Sequence, residues 1–442
     1  MTEALTTKRI MRMWVPLALS WMLMAAEGPL LSAAMARLSN PEINLAAYGG
    51  IVWPLALIIE APIIMLLAAS TALSTDWEAY CNLRKFMTTS SIVLTGVHIL
   101  VAFTPLYDFV VVKMIGAPVE IVEPARWGLM VMVPWTWAIA YRRFQQGAMI
   151  RFGHSDAIVV GTGIRLVTDF VLVWIGFRIG NLPGVVVGAG AQALGVTAEA
   201  IYSGVRVRAV VVEKLKQVEA KQVWHWGEFA KFYIPLSLTS LLNLIWQPIG
   251  SAALSRMPMA IESLAVWPVL SGLVFILRSP AMAFNEVVVA LLGERNAAKK
   301  LRRVAWGMGS ITTLTHLLFM ITPLSVLWFA VITGLSPDLV EIGRIGLWIA
   351  LPIPALNMLL NWFQGALVFE KKTRAIPEAV AIYLVSVSLL LFGGVVWGEV
   401  TGLFIGMGAL GLAQAAQTLW LWHKGRAVIL GMTGEQAETN FV

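Results

Sequence analysis

Charge is scarce in this 442-residue chain. Asp, Glu, Lys and Arg make up 13% of it, about half the share a soluble domain carries. A surface so poor in charge cannot be kept in water, which excludes a soluble cytosolic enzyme. A single cysteine, Cys81, excludes an intramolecular disulfide and any cysteine-based metal cluster. The sequence shows no phosphate-binding Walker loop, no spacing of metal ligands and no nucleophile elbow. The expectation is therefore no catalytic residue, no enzyme activity, no metal and no cofactor, with ATP hydrolysis inside the chain ruled out as an energy source. A cleavable signal peptide is not expected either: the first apolar run follows Lys8, Arg9 and Arg12 and continues well past signal length.

What the chain has in abundance is apolar residues, 58% of the total, with a mean hydropathy of +0.78. They fall in recurrent runs of about 20, the length of a membrane-spanning helix rather than a barrel strand. Twelve spans are expected, centred on 10–37, 43–73, 86–106, 120–148, 157–179, 184–207, 229–255, 262–292, 304–330, 340–368, 375–396 and 401–423. The net charge of +7 does not indicate nucleic acid, because the cations sit in short loops between apolar runs. Of the 32 Lys and Arg, six (Arg37, Lys113, Arg126, Arg178, Arg256, Arg344) fall on one side and Arg165 and Arg278 fall inside spans. The rest share the side of the termini. Positive loops stay cytoplasmic, so both termini are expected there, in a plasma or inner membrane. The longest polar stretch, 208–228, has Val211, Leu215 and Val218 on one helical face and is expected to be an amphipathic surface helix. It separates an N-terminal lobe, 1–207, from a C-terminal lobe, 229–428, with a short cytoplasmic tail at 429–442.

The chain also repeats itself. A shift of 218 places Gly116–Ala148 on Gly334–Ala366 without a gap, with ten of 33 positions identical. Glu123/Glu341, Arg126/Arg344, Pro134/Pro352 and Gln146-Gly147-Ala148 on Gln364-Gly365-Ala366 are among them. The same register pairs His98 with His316 and Pro62 with Pro280, and a shift of 219 lays Pro16–Arg37 on Pro235–Arg256. Composition bias matches Leu with Leu, but it does not hold one register through Arg, His, Glu and Gln. The expected architecture is all-α, two six-helix repeats. Six is even, so both copies enter the membrane in the same direction, as parallel repeats that rock around a midplane site.

The segment KMIGAPVEIVEPARWGLMVMVPWTWAIAYRRFQQGAMIRFGHSDAIVV resembles the third-loop-to-fifth-helix region of multidrug and toxic compound extrusion (MATE) transporters and their wider superfamily, which includes lipid flippases. GVVVGAGAQALGVTAEAI resembles that superfamily's sixth helix. Within it, WVPLALSWMLMAAEGPL, VHILVAF, FYIPLSLTSLLNLIWQPI and RSPAMAFNEVVVAL are most similar to the progressive ankylosis (ANKH-type) branch, which implies export of anionic metabolites such as citrate, ATP or pyrophosphate. The long acidic cytoplasmic tail of that branch's animal members is not expected here.

A charge within a span costs at least about 2.5–3.5 kcal/mol on insertion scales, so each deep one needs a partner, a wet cavity or a task. The deep acids are Glu27, Glu60, Asp169, Glu199 and Glu286; the deep bases are Arg165 and Arg278, with Arg142 and Arg143 a turn or two inside the fourth span. Glu27 lies between Ala26 and Gly28-Pro29, where proline weakens the helix ladder. It is the first candidate for proton or sodium coupling, as the MATE resemblance also implies, with Asp169, Arg165 and Glu199 behind it. Glu60 and Arg278 are repeat equivalents, each two residues before a proline, and are expected to face a cavity. Arg165 and Asp169, spaced i,i+4, are expected to neutralise one another. Asn243 with Gln247, and Asn357, Asn361 and Gln364, form polar stripes that line a cavity or fasten helices; Asn285 and Glu286 follow Arg278. Arg143 and Asn361 are equivalent. His98 and His316 are expected to pack, and Glu123/Arg126 and Glu341/Arg344 to be surface pairs. The functional expectation is a monomeric secondary-active exporter of a small organic or phosphorylated anion. A proton- or sodium-coupled organic-cation exporter and a lipid-linked precursor flippase remain as alternatives.

Overall fold

The structure, a computed structural model, describes residues 5–154, 156–218, 224–294, 296–370, 372 and 374–438. Among them the chain is helical without a strand. The first repeat runs α1 (Thr7–Ala25), α2 (Glu27–Met35), α3 (Pro41–Ala47), a π-turn (Tyr48–Val52), α4 (Trp53–Ile64), α5 (Leu66–Leu73), α6 (Trp77–Phe103), α7 (Leu106–Asp108), a second π-turn (Phe109–Ile115), α8 (Val119–Arg151), α9 (Asp156–Ile179) and α10 (Gly184–Glu213). The second runs α11 (Trp226–Leu244), α12 (Trp246–Leu254), α13 (Ala260–Leu291), α14 (Ala297–Ile321), α15 (Leu324–Val326), a π-turn (Leu327–Ile332), α16 (Pro337–Ile349), α17 (Ile353–Phe369), α18 (Ala375–Trp397) and α19 (Gly402–Glu438). Among the described residues eleven helices, counting kinked pairs as one, are long and apolar enough to cross a membrane. The 33-residue α8 is long enough but is studded with Glu120, Glu123, Arg126, Arg142, Arg143 and Arg151. With it the number reaches the twelve expected. Non-polar side chains such as Ile92, Leu389 and Phe392 are exposed along the helices, as lipid contact requires.

The repeat is written into the backbone. The π-turns Phe109–Ile115 and Leu327–Ile332 are equivalent, and so are the left-handed residues Gly116 and Gly334 (φ 74° and 70°), Gly180 and Gly398 (φ 73° and 67°), and Asn40 and Met259 (φ 49° and 56°). The retained Gln-Gly-Ala run also has a physical reason. A Cβ on Gly147 would stand 2.5 Å from the Leu67 carbonyl oxygen, and one on Gly365 would stand 3.1 Å from that of Asn285, its equivalent. Only glycine lets these helices approach so closely. His98 and His316 are buried, and each sets Nε2 against an equivalent carbonyl, Leu129 at 3.0 Å and Leu347 at 3.1 Å. A carbonyl only accepts, so Nε2 carries the proton and each histidine ties two helices, the packing role expected.

Two compact units divide the chain, and they are not the sequence repeats. Unit one comprises Met1–Leu30, Met257–Met259 and Val266–Val442; unit two comprises Leu31–Arg256 and Ala260–Ala265. Thus α1 joins the body built from α14 to α19, while α11 and α12 join the body built from α3 to α10. The attachments are themselves repeat equivalents. In unit one, Trp14 Nε1 donates to the Pro280 carbonyl at 2.9 Å. In unit two, the Tyr233 hydroxyl donates to the Pro62 carbonyl at 2.7 Å. Leu5, Ile10, Trp14 and Ala18 of the α1 region sit in one core with Phe284, Val287, Trp362 and Phe363.

Two local expectations are corrected. The segment 208–228 is not a separate surface helix: Arg208–Glu213 continue α10, Leu215–Gln217 form a 3₁₀ turn, and 219–223 lie outside the described residues. Arg126 reaches away from Glu123, donating to the Ala102 and Thr104 carbonyls at 3.1 and 3.2 Å. These belong to the C-terminal end of α6, whose last carbonyls lack helical partners.

Candidate functional site

Unit two holds a buried charged cluster where α4, α8, α9 and α10 meet. Glu199 of α10 is 1% exposed. It accepts from Arg142 Nη1 through Oε2 at 2.5 Å and from Gln146 Nε2 through Oε1 at 2.9 Å. Arg142 and Gln146 are one helical turn apart on α8, so one face of that helix supplies both donors. Arg165 Nη1 of α9 lies 3.6 Å from the same Oε2. Asp169, one turn along α9 and fully buried, sets Oδ1 on the space a Cβ at Gly195 would occupy. The pair Arg165 and Asp169 therefore faces α10, the sixth span of its repeat. Arg165 is shared with Glu199 rather than reserved for its own helix.

The next residue of α8, Arg143, is turned by about 100° and belongs to another part of the cluster. It lies within electrostatic reach of Glu60, Glu199, Arg142 and Arg165. Glu60 of α4, 2% exposed, feels Arg143 and Arg142. Among the described residues its Oε2 has no hydrogen-bond partner, nor has Arg143 Nε. Three arginines and three carboxylates thus share one low-dielectric region, with a formal charge of zero when all are ionised.

Unit one is different at the equivalent places. Arg278 of α13 stacks 5.3 Å from the Phe275 ring centroid. Its titratable neighbour is Tyr383 of α18. Among the described residues the guanidinium makes no ion pair or hydrogen bond, and its Nε is buried. Asn361 is tied to Asn357, its Nδ2 donating to the Asn357 carbonyl at 2.8 Å and Oδ1 at 3.0 Å, while Gln414 Nε2 donates to the Ile353 carbonyl. Glu27 is the first residue of α2, where a helix N-terminus favours a carboxylate. Glu286 and Asn243 are exposed, and Asn285 and Gln247 are partly buried. Ile245 breaks the helix between Asn243 and Gln247, so these two do not share an uninterrupted stripe. Sequence reasoning missed Gln146, Phe275 and Tyr383 as site residues. The repeat carried two of the signals: Gln146 matches Gln364, and Tyr383 stands where the first copy has Arg165.

Helix order, kinked first spans and duplicated π-turns describe the architecture, and solved MATE transporter structures share its fold over nearly the whole chain. This is the MATE fold. The chain is similar to an inward-facing multidrug resistance MATE family transporter of the MOP superfamily, at 16% identity over 96% of this chain and 98% of that one, with a TM-score of 0.67. It is similar to the lipid II flippase MurJ in an inward closed conformation, at 13% identity over 97% and 92%, with a TM-score of 0.70. It is also similar to a MOP superfamily transporter from Pyrococcus furiosus described as having a binding pocket of reverse polarity, at 19% identity over 97% and 99%, with a TM-score of 0.59. No protein-family model and no curated relative matches the chain. At these identities the shared property is the MATE fold itself.

Proposed function

We propose that this MATE-fold chain is a secondary-active exporter of a small organic or phosphorylated anion, working by alternating access in the cytoplasmic membrane with both termini cytoplasmic. The observation that carries the reading is Arg278, a cation within a span that no carboxylate answers among the described residues. The deep acids of unit two argue the same way from the other side. Glu60 and Glu199 both have arginines at hand, so neither is left over for an organic cation; Glu286 of α13, which has no ion pair among the described residues, is the acid that the cation reading would use. The likeness to MATE and MurJ structures supports transport, and the ANKH-type segments support an anion. Coupling to H+, to Na+ or to counter-substrate is assigned to Glu27, Asp169 and Glu199 as candidates, in a monomer.

The test is transport by the purified chain in proteoliposomes, with citrate, pyrophosphate, lactate and cationic dyes each loaded in turn. Efflux of an anion that Arg278→Gln abolishes is the expected result. Dye efflux through a chain indifferent to every anion would sink the proposal and favour the cation reading. Movement of a fluorescent lipid alone would favour the flippase.

A further inference from the structure

The two polar regions differ in net charge, and the repeat shows where the difference arises. A shift of 218 carries Glu60, Arg143, Gln146, Arg165 and Glu199 of unit two onto Arg278, Asn361, Gln364, Tyr383 and Gln417 of unit one. All five remain polar, yet only one remains an ion. The Arg165 position has become a phenol, the Glu199 position an amide, and the Glu60 position has reversed its sign. Arg142 and Asp169, the other two ions of the balanced set, become Leu360 and Val387, so the equivalent positions in unit one keep a single guanidinium, four neutral hydrogen-bonding groups and two apolar side chains. The two ring residues Phe275 and Tyr383 attend that guanidinium.

We infer that Arg278 and Tyr383 form the substrate site in unit one, and that it takes a monoanion: one carboxylate of an organic acid whose other polar groups are uncharged. This rests on the anion-export reading and narrows it. The planar guanidinium offers paired N–H groups that match a carboxylate's two oxygens. A neutral Tyr383 hydroxyl adds a further donor, and Phe275 presents its ring to the guanidinium, fixing its plane without neutralising it. A second or third negative charge on the ligand would meet no second cation in this set, and an unmatched charge out of water is heavily penalised. Pyrophosphate, nucleotides and fully ionised citrate are therefore poor ligands, whereas a hydroxy-monocarboxylate fits both the one charge and the phenol donor.

The experiment is thermal stabilisation of the purified full-length chain by lactate, succinate, citrate, inorganic phosphate and pyrophosphate as sodium salts, at constant ionic strength with chloride as control. A ligand that binds only the folded state raises the melting temperature with its concentration. Lactate is expected to act at concentrations at least about tenfold below citrate and pyrophosphate, and Arg278→Gln to weaken it by about tenfold or more, the loss of one charge-assisted bond. Tyr383→Phe is expected to weaken lactate by less. Succinate supplies an internal control on the wild type: its binding should strengthen as falling pH converts it to the monoanion. Tighter binding of citrate or pyrophosphate than of lactate, lost in Arg278→Gln, would overturn the monoanion assignment and leave anion export standing. Stabilisation by none of the anions would overturn both. Should Arg278→Gln fail to fold, the valence series and the succinate titration decide on the wild type alone.

Discussion

Glu199 gives one carboxylate oxygen to Arg142 and the other to Gln146, and this full engagement makes it a brace between α8 and α10. Removing one member of such a buried pair leaves a charge without its partner, at a cost of about 3–5 kcal/mol. Arg142→Ala should therefore lower the melting temperature sharply, and adding Glu199→Gln should recover part of the loss; a simple sum of the two single losses would contradict the brace. Gly195→Ala should also destabilise, by about 1–3 kcal/mol, because the new methyl collides with Asp169 Oδ1. Thermal melting of Gly195→Ala in an Asp169→Ala background should show a smaller loss. The sequence made each deep charge visible as an expense that needed justification. It did not show which charges meet, because a residue's place on its own helix says nothing about which neighbouring helix that face touches. Arg143 and Glu60 were legible only as candidates, Tyr383 only through its repeat equivalence to Arg165, and Phe275 not at all, since an aromatic in an apolar span carries no mark of its task.

At the scale of the element, both first spans are broken at matching points: Ala26 separates α1 from α2 and Ile245 separates α11 from α12, each three residues before a proline. The proline ring displaces the carbonyl four residues back and removes one ladder bond, at a cost of about 3 kcal/mol or more in a helix interior. Pro248→Ala should thus straighten the α11–α12 segment and raise the melting temperature, while transport in proteoliposomes falls if the bend is used. A variant unchanged in both respects would mean that packing alone imposes the bend. His98→Phe should cost about 1–3 kcal/mol by stranding the Leu129 carbonyl and the Thr136 hydroxyl, again read by melting. The helices themselves were legible from hydropathy, and the weak ladder at Pro29 from its sequence. The break at Ile245 was not, which is why Asn243 and Gln247 were placed on one stripe. The polarity of 208–228 suggested a helix of its own, but nothing in Arg208–Glu213 stops α10, so the chain continues the helix it has already nucleated.

For the whole molecule, the duplication was legible to the residue, whereas the exchange of first helices was not. The reason lies in the symmetry. Trp14 and Tyr233 are equivalent donors, and Pro280 and Pro62 are equivalent acceptors, so comparing the chain with itself cannot tell which copy of the first helix docks on which body. The exchange makes a direct prediction. Residues 1–218 and 224–442 produced separately should each lack a helix that their core requires and aggregate, while the two produced together should copurify through a tag on either one. A monodisperse, helical product from one half alone would show that the exchanged helix is dispensable. Timing adds a consequence that the finished symmetry hides. Trp14 waits for an acceptor 266 residues downstream, which at about 5–20 residues per second of synthesis is a delay of roughly 13–50 s. Tyr233 meets Pro62 as soon as it emerges. Two helices that end in equivalent places thus have unequal histories: one enters a body already assembled, and the other must persist in the membrane without its partner.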